Sequence, residues 1–427
     1  MKCLPLSWYE RLRGNRVLSL HLVLLPVVLA FTCPEADTSQ VGQVDDGHVD
    51  RIISSDPLEP TVSYNLVERW RASVDAAGSP LFGSVTDVVT DSSGNLYILD
   101  SQLQQVLVIS QDGRVLRRLG AYGEGPGEFL FAADLTMVGD GLLGIVDAQK
   151  GTVVLMQSDG TPLGTWVPHW EPESRLEPLM ASAISDGFVI SCKTRERTDE
   201  EMIYRYFLGL FNSESSHPRI LLERRSKRRL GRPLHFDERE SESFAVFATS
   251  DVGEIYAAPE FAAYRIHVFG AGGKLERIIG REYESVARTQ QRKAAIREVW
   301  EAYFSQWRGT TVSVASSERD VQNINIRPDG QLWIETSQGW FRNPDGVALT
   351  LDEFDCSGRF RRHVQLLGEI DAANDFLLIR GSVALRITSG VESLGGWLGS
   401  EPDEPQDSVG EDVPALILYD LCLVTDQ

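Results

Sequence analysis

Three polar residues interrupt apolar, strand-like segments at matching positions, and they are the best candidates for chemistry in this sequence. Asp87, Asp134 and Asn323 each lie seven residues before a glycine of a tight turn. Side chains alternate across a strand, so equivalent positions should point in one direction. If that direction is a central channel, the three side chains are oxygen donors for a cation or a ligand hydroxyl at its mouth. The alternative is that they hydrogen-bond neighbouring strands or water.

Histidine spacing gives no support for a catalytic centre. After the N-terminal apolar segment the chain has six histidines: His48, His169, His217, His235, His267 and His363. No two of them lie within four residues, so the spacing of a metal-binding pair is absent. No Gly-x-Ser-x-Gly elbow, P-loop or dinucleotide fingerprint occurs either. We therefore predict no cofactor, with a divalent cation at the three polar positions as the alternative.

The elements that position these residues form an internal repeat. Its clearest unit runs from Phe82 to Phe129 and contains four short strand-like segments, with turns at 92–95 and 111–114. Gly94 can adopt the positive φ that a tight hairpin demands. Four short antiparallel strands joined by hairpins make one blade of a β-propeller.

The same pattern recurs along the chain and predicts the fold class. The first turn of each unit is marked by residues 94, 141, 187, 253, 330 and 375. Six units predict an all-β, six-bladed propeller of four-stranded blades over 61–427. The sixth unit has its turn at 373–375 and lacks a fourth strand. Residues 61–75 are therefore predicted to supply the outer strand of the last blade, which closes the ring and removes open sheet edges.

One insertion, residues 285–307, has a helical pattern. Its apolar residues recur at helical spacing and form a single stripe. They are Ile296, Val299, Trp300, Tyr303, Phe304 and Trp307. The stripe predicts a helix that packs on the propeller, or else one that acts as a lid or a docking surface for a partner.

The N-terminus has the pattern of an export signal. Residues 1–33 combine a basic start with an apolar run of 15 residues, Val17 to Phe31, which is too short to span a bilayer. Cys33 follows this run, where a bacterial lipoprotein carries its acylated cysteine, although Phe31 and Thr32 depart from the usual motif. Ordinary cleavage after Ala30 is the alternative. Residues 34–60 are acidic and poor in apolar side chains, which predicts a flexible tether.

The charge balance excludes some partners. The chain carries 41 Lys and Arg against 62 Asp and Glu, a net charge of −21. This balance argues against nucleic acid and anionic membrane surfaces, both of which need a basic footprint. One basic cluster interrupts it at 224–229, and we expect a solvated loop there, with an anion site as the alternative. Contact with a membrane is expected only through a lipid on Cys33.

Cysteine and two further aspartates have structural interpretations. Cys192, Cys356 and Cys422 are too widely spaced for a disulfide framework or a metal motif, and each adjoins an apolar run, as a small buried side chain would. Export leaves a pair such as Cys356 with Cys422 open. Asp100 and Asp147 occupy matching positions after the second strands, where we expect them to accept backbone N–H groups of the following turn.

The first unit resembles a blade of the NHL-repeat family. The resemblance lies in the run Ser93 to Asp100, the Asp-Gly-Arg hairpin at 112–114, and the Gly-x-Gly-Pro-Gly-x-Phe link at 123–129. With the export signal, the chain resembles the six-bladed propeller lipoproteins of bacterial envelopes. The resemblance implies a location in the periplasm or at the outer membrane. Lyase and lactonase relatives hold metals with His and acidic ligands around the channel.

These observations predict a monomeric, non-enzymatic envelope propeller that binds a protein, a small molecule or a glycan. The missing catalytic constellation favours binding over turnover. The alternative is a metal-assisted hydrolase or lyase, lactonase-like, with its site in the channel at Asp87, Asp134 and Asn323. A scaffold that docks partners through 285–307 is a third hypothesis.

Overall fold

The strands of this chain surround one axis. The computed structural model describes residues 49–73, 82–139, 141–170, 174–212, 217–231, 235–241, 244, 246–304, 309–372, 374–388 and 415–424. Residues 1–48, with the predicted signal, Cys33 and most of the predicted tether, lie outside the described residues.

The N-terminal part contains two strands that lie on the rim and then two blades. The rim strands are β1 (Asp50–Ser54) and β2 (Val62–Ser73). Blade 1 consists of β3 (Val85–Thr90), β4 (Leu96–Asp100), β5 (Gln105–Ile109) and β6 (Val115–Leu119). Blade 2 consists of β7 (Ala132–Val138), β8 (Leu142–Asp147), β9 (Thr152–Gln157) and β10 (Pro162–Trp166).

Blades 3 and 4 follow, separated by a short insertion. Blade 3 consists of β11 (Leu176–Ile184), β12 (Gly187–Arg197), β13 (Glu201–Asn212) and β14 (Arg219–Arg229). The insertion contains β15 (His235–Asp237) and α1 (Glu238–Ser241). Blade 4 consists of β16 (Phe247–Thr249), β17 (Ile255–Ala257), β18 (Arg265–Phe269) and β19 (Leu275–Arg281).

A second insertion precedes blades 5 and 6. It contains α2 (Gln290–Tyr303) and β20 (Thr311–Ser313). Blade 5 consists of β21 (Val321–Ile326), β22 (Leu332–Thr336), the short helix α3 (Ser337–Phe341), β23 (Val347–Phe354) and β24 (Phe360–Leu367). Blade 6 consists of β25 (Phe376–Arg380), β26 (Val383–Ile387) and β27 (Ala415–Leu423), with β2 as its fourth strand.

The first strand of each blade is the innermost, and these strands form a ring. β3 lies beside both β7 and β25, β11 lies beside β7 and β16, and β16 lies beside β21. The core is divided among the interfaces between neighbouring blades. β4, for example, is buried along its whole length because blades cover both of its faces. The chain is a six-bladed β-propeller, as its repeat predicts.

Closure of the ring follows the predicted scheme. β2 pairs antiparallel with β27, from Tyr64 opposite Leu423 to Ser73 opposite Ala415. The start of β2 also pairs in parallel with β24 of blade 5. Pairing between residues far apart in the sequence therefore holds the ends of the chain together, which confirms the predicted closing strand.

The strands begin earlier than the predicted propeller boundary. Asp50–Ser54 falls within the range predicted to be a flexible tether, yet it forms β1 and pairs in parallel with β19. Ile52 packs against the core between blades 4 and 5, whereas Ile53 is exposed. The composition of 34–60 obscures this strand because only two of its five residues are strongly apolar.

The predicted first turn of the sixth blade is wrong. Residues 373–375 precede β25, and the first hairpin of this blade lies between Arg380 and Val383 instead. Gly381 adopts φ 56° in that two-residue loop. Asp375, which suggested the turn, instead accepts a hydrogen bond from Arg386, at 2.7 Å between Oδ2 and Nε.

Two further sequence expectations are wrong, one about secondary structure and one about burial. Residues 224–229 form part of β14 and not a loop. Among the cysteines, Cys192 is buried as expected, but Cys356 and Cys422 are exposed, and all three are free thiols. In the described part of the chain, no helix has both the length and the apolar character needed to cross a membrane.

Candidate functional site: the channel mouth

The predicted mouth residues share one local backbone feature. In blades 1, 2, 3 and 5 the pairing of the first two strands shifts register just before residues Asp87, Asp134, Met180 and Asn323. Such a bulge bends the strand and re-aims the next side chain. Spacing from the turn glycines therefore identified structurally equivalent positions in four blades.

Asp87 joins three blades through its two carboxylate oxygens. Oδ2 accepts a hydrogen bond from the backbone N–H of Leu135 in blade 2, at 3.1 Å. Oδ1 accepts from the Arg380 guanidinium in blade 6, at 3.1 Å, and from the N–H of Val88, at 2.7 Å. Asp87 is 8% exposed. A buried carboxylate needs such partners to offset its lost hydration.

Asp134 repeats this arrangement one blade further on. Its Oδ2 accepts a hydrogen bond from the N–H of Ala181 in blade 3, at 2.8 Å. Burial, and then the neighbouring Asp87, raise the pKa of Asp134 well above its usual range. The two carboxyl groups therefore form a pair, and the folded protein favours the protonated form of Asp134.

Hydroxyl groups continue the same series around the channel. Thr136 Oγ1 accepts a hydrogen bond from the N–H of Ala183 in blade 3, at 3.0 Å. Ser182 of blade 3 and Thr249 of blade 4 share a hydrogen bond between their hydroxyl oxygens, at 2.6 Å. Side chains of the inner strands thus bond each of these blades to its neighbour.

Asn323 lies in a separate polar group within blade 5. Its Oδ1 accepts from the N–H of Ile324 at 2.9 Å, and its Nδ2 donates to Glu335 Oε1 at 3.0 Å. Glu335 also accepts from Asn325 Nδ2 at 2.8 Å and from Trp340 Nε1 at 3.3 Å. Burial raises the pKa of Glu335, and these donors oppose the rise.

Arg380 connects the two polar groups electrostatically. Its guanidinium bonds to Asp87 and, through Nε, to the carbonyl of Val88 at 2.8 Å. Its positive charge opposes the rise in the pKa values of both Asp134 and Glu335. Arg380 and Glu335 are not among the site residues that the sequence pattern predicts. The available signal was a charged residue at or near the end of an apolar strand, in LWIET and FLLIR.

The two insertions form a cap, which we define as residues 235–241, 285–304 and 309–317. β15 pairs in parallel with β20, and Phe236 packs on Trp300 and Phe304 with ring centroids 4.3 Å and 4.8 Å apart. Buried Arg288 fixes the cap further by donating to Glu238 at 2.6 Å, between Nη1 and Oε2.

The apolar part of the cap crosses the channel mouth. The cap leaves the ring between blades 3 and 4 and between blades 4 and 5. Phe236, Ile296, Trp300 and Phe304 nevertheless belong to one apolar cluster with Phe82 and with the cores of blades 1 and 6. Ile296, Trp300 and Phe304 are at most 2% exposed, which agrees with a helix packed on the propeller. Trp307 and the side chains of Val299 and Tyr303 lie outside the described residues.

The donor set at the mouth does not fit a resident metal ion. Both oxygens of Asp87 and Oδ1 of Asn323 already accept hydrogen bonds from protein groups. Within the described ranges, no group of three or more His, Cys, Asp and Glu side chains is arranged to hold a cation. The assignment of Asp87, Asp134 and Asn323 as oxygen donors to a ligand stays a prediction.

Asp100 and Asp147 have the backbone contacts that the sequence predicts. Asp100 Oδ1 accepts from the N–H of Leu103 at 3.0 Å, and Asp147 Oδ1 accepts from that of Lys150 at 2.9 Å. Each also accepts from the segment that enters its blade, Gly83 and Leu130 respectively, at 2.8 Å. These aspartates therefore hold the start of an inner strand in place.

Comparison with known proteins supports the fold. A model of the DUF5128 family, described as a 6-bladed beta-propeller, matches residues 78–165, which span blade 1 and most of blade 2. No curated protein matches the sequence.

Many solved structures resemble the chain at low identity. A member of the DUF4221 family from Bacteroides vulgatus is 9% identical, with 85% of this chain and 99% of that one covered and a TM-score of 0.46. Virginiamycin B lyase from Staphylococcus aureus is 9% identical, with 82% of this chain and 98% of that one covered and a TM-score of 0.40. A gluconolactonase from Xanthomonas campestris is 12% identical, with 80% of this chain and 86% of that one covered and a TM-score of 0.41. The lyase and lactonase activities belong to those proteins, and likenesses this distant carry no inference about activity here.

Proposed function

We propose that this chain is an exported, non-enzymatic propeller that serves as a binding platform for a protein, small-molecule or glycan ligand. The proposal rests on the contacts that buried acidic side chains make at the channel mouth. Asp87 and Asp134, two of its buried acidic groups, bond to the backbone of neighbouring blades. Side chains committed in this way hold the ring together and are poorly available to act on a substrate.

The cap supports the same conclusion. Its buried aromatic residues continue the core of the ring, so a substrate that entered from this side would have to displace Phe236, Trp300 and Phe304. Truncation data for buried aromatic side chains put the cost of losing such packing at about 3–5 kcal/mol each. This packing of the cap favours recognition on outer surfaces.

The proposal is tested by metal titration of the purified mature chain together with assays of hydrolysis and elimination. We expect no turnover of lactone, peptide or glycan substrates, and no change in melting temperature with Ca²⁺ or Zn²⁺. A specific metal site would add about 2.7 kcal/mol at a concentration about 100-fold above its Kd. Turnover, or metal stabilisation that Asp87→Asn with Asp134→Asn removes, would overturn the proposal.

Export rests on residues 1–33, and their processing has its own test. Mass spectrometry of the mature N-terminus distinguishes a diacylated Cys33 from cleavage after Ala30. A lipid on Cys33 would place the propeller at a membrane surface of the envelope, whereas cleavage after Ala30 would release it into the periplasm. Detection of uncleaved residues 1–30 on the protein from its native host would contradict export through a cleaved signal.

A further inference from the structure

The N-terminal strands β1 and β2 add to the outer edges of some blades and not of others. β1 adds in parallel to β19 of blade 4, and β2 adds in parallel to β24 of blade 5 before it completes blade 6. Blades 1, 2 and 3 receive no such strand from the described residues, so β6, β10 and β14 are their outermost strands. The fold therefore already accepts an added parallel strand at two of its edges.

β14 is the edge best suited to accept another strand. It has 11 residues, whereas β6 and β10 have five each. β10 starts with Pro162, which lacks an N–H group. β14 pairs on one side with β13, and no backbone hydrogen bond joins its other side to the described residues. An edge of this length presents a row of donors and acceptors to another chain.

The charge of this edge opposes that of the whole chain. Residues 193–205 and 223–231, at one end of blade 3, hold nine Lys and Arg against five Asp and Glu, although the net charge of the protein is −21. Arg225, Lys227 and Arg229 alternate along β14 and are exposed; the side chains of Arg225 and Lys227 are 63% and 57% exposed.

The internal partners of these cations leave them accessible. Arg225 pairs with Glu223, and Lys227 lies 3.9 Å from Glu201 between Nζ and Oε2. Exposed pairs of this kind contribute little to stability. A carboxylate from a partner can replace them at small cost.

We propose that the β14 edge binds an extended acidic peptide segment of a partner protein by strand addition. This inference rests on the proposed binding-platform function and names its surface and ligand class. Residues i and i+2 of a strand are about 6.6–7 Å apart, so Arg225, Lys227 and Arg229 match alternate carboxylates of an extended chain. Main-chain hydrogen bonds supply affinity and the charges supply register and specificity.

A second copy of this chain is a poor occupant of the same edge. Two β14 strands side by side would bring Arg225, Lys227 and Arg229 of one copy against the same cations of the other. Like charges on paired strands are destabilising, and basic edge strands are a known protection against self-association. The occupant must therefore carry the opposite charge.

The test measures binding of a fluorescent synthetic peptide that alternates Glu and Val to the full mature protein at low salt. The comparison variant is Arg225→Glu/Lys227→Glu/Arg229→Glu. Its matched control is Arg114→Glu/Arg117→Glu/Arg118→Glu at the blade 1 edge, which changes net charge equally. We expect the β14 variant to lose affinity at least about tenfold and the blade 1 variant to stay within about twofold of the wild type.

Peptide variants test the mode of binding. N-methylation of every backbone amide of the peptide retains the carboxylates but removes all of its backbone donors, and we expect at least about a tenfold loss. Absence of binding, equal losses in both protein variants, or full affinity of the N-methylated peptide would each overturn the proposal. So would a wild-type dimer that the β14 variant dissolves, since the occupant would then be a second copy. Failure here with no turnover in the enzymatic assays would leave the binding platform standing.

Discussion

Ionisable side chains occupy two contrasting regions of this propeller, the channel mouth and the outer edge of blade 3. At the mouth, Asp87 and Asp134 are buried and bond to backbone groups of adjacent blades. On β14, Arg225 and Lys227 are exposed and pair only with nearby glutamates. Burial forces a polar group to commit to a partner inside the fold, whereas exposure leaves it free to exchange partners. In this protein, a polar residue in the channel therefore indicates a binding site no more strongly than a polar residue on the rim.

The largest expected effect concerns the cap that covers the mouth. Trp300→Ala removes a side chain that is 2% exposed and stacked near Phe236 and Phe304. We expect the free energy of unfolding to fall by about 3–5 kcal/mol, measured by chemical denaturation. Glu301→Ala, on the exposed side of the same helix, should change it by less than about 0.5 kcal/mol. Equal effects would show that the helix does not pack as described.

The next effect tests whether Asp87 joins blades. Asp87→Ala removes the acceptor of the Leu135 N–H and of Nη2 of Arg380. We expect a loss of about 2–3 kcal/mol in the free energy of unfolding, because an unsatisfied buried donor retains its desolvation cost. Asp87→Asn keeps one acceptor oxygen and should cost less. A neutral result for Asp87→Ala would remove the structural role of this carboxylate.

Asp134 should make stability depend on pH. Its pKa is raised in the folded protein, so the folded state keeps a proton that the unfolded chain releases above about pH 3.8. Stability from this group is therefore lost as pH rises toward the folded pKa, by at most about 1.4 kcal/mol per pH unit. Asp134→Asn imitates the protonated form and should remove this dependence. Parallel unfolding curves for the two proteins across pH would contradict the carboxyl pair.

The smallest effect concerns the covered edge of blade 4, in contrast to the open edge of blade 3. Ile52 of β1 packs on the core, whereas Ile53 is 48% exposed. Ile52→Ala should lower the free energy of unfolding by about 1–2 kcal/mol, since the side chain is only partly buried. Ile53→Ala should leave it within about 0.5 kcal/mol. The opposite order would mean that β1 pairs with the other face inward.

The sequence predicted the parts of the fold that local chemistry determines. Turn glycines such as Gly94 and Gly113 adopt the positive φ that marks a hairpin, so the repeat and the blade count could be derived from spacing. The sixth blade was placed correctly but its first turn was not, because Gly381 lies in a two-residue loop without the usual Asp-Gly pair. β1 escaped notice because its partner, β19, is more than 200 residues away and supplies most of the pairing information.

The candidate site was harder to predict than the fold. Equivalent spacing identified Asp87, Asp134 and Asn323 as matching strand positions, and the alternative that they bond neighbouring strands describes the contacts of Asp87 and Asp134. Arg380 and Glu335 were missed because their importance depends on which blades meet around the channel. That information is non-local and appears only once blade 6 closes against blade 1.

The most direct test of the account measures melting temperature and acidic-peptide affinity on the same two variants. We predict that Asp87→Ala lowers the melting temperature and leaves peptide affinity unchanged at a temperature where it is folded. Arg225→Glu/Lys227→Glu/Arg229→Glu should do the reverse, with a near-normal melting temperature and at least about a tenfold loss of affinity. Loss of peptide binding in folded Asp87→Ala, or wild-type affinity in the β14 variant, would contradict the division between a structural channel mouth and a binding rim.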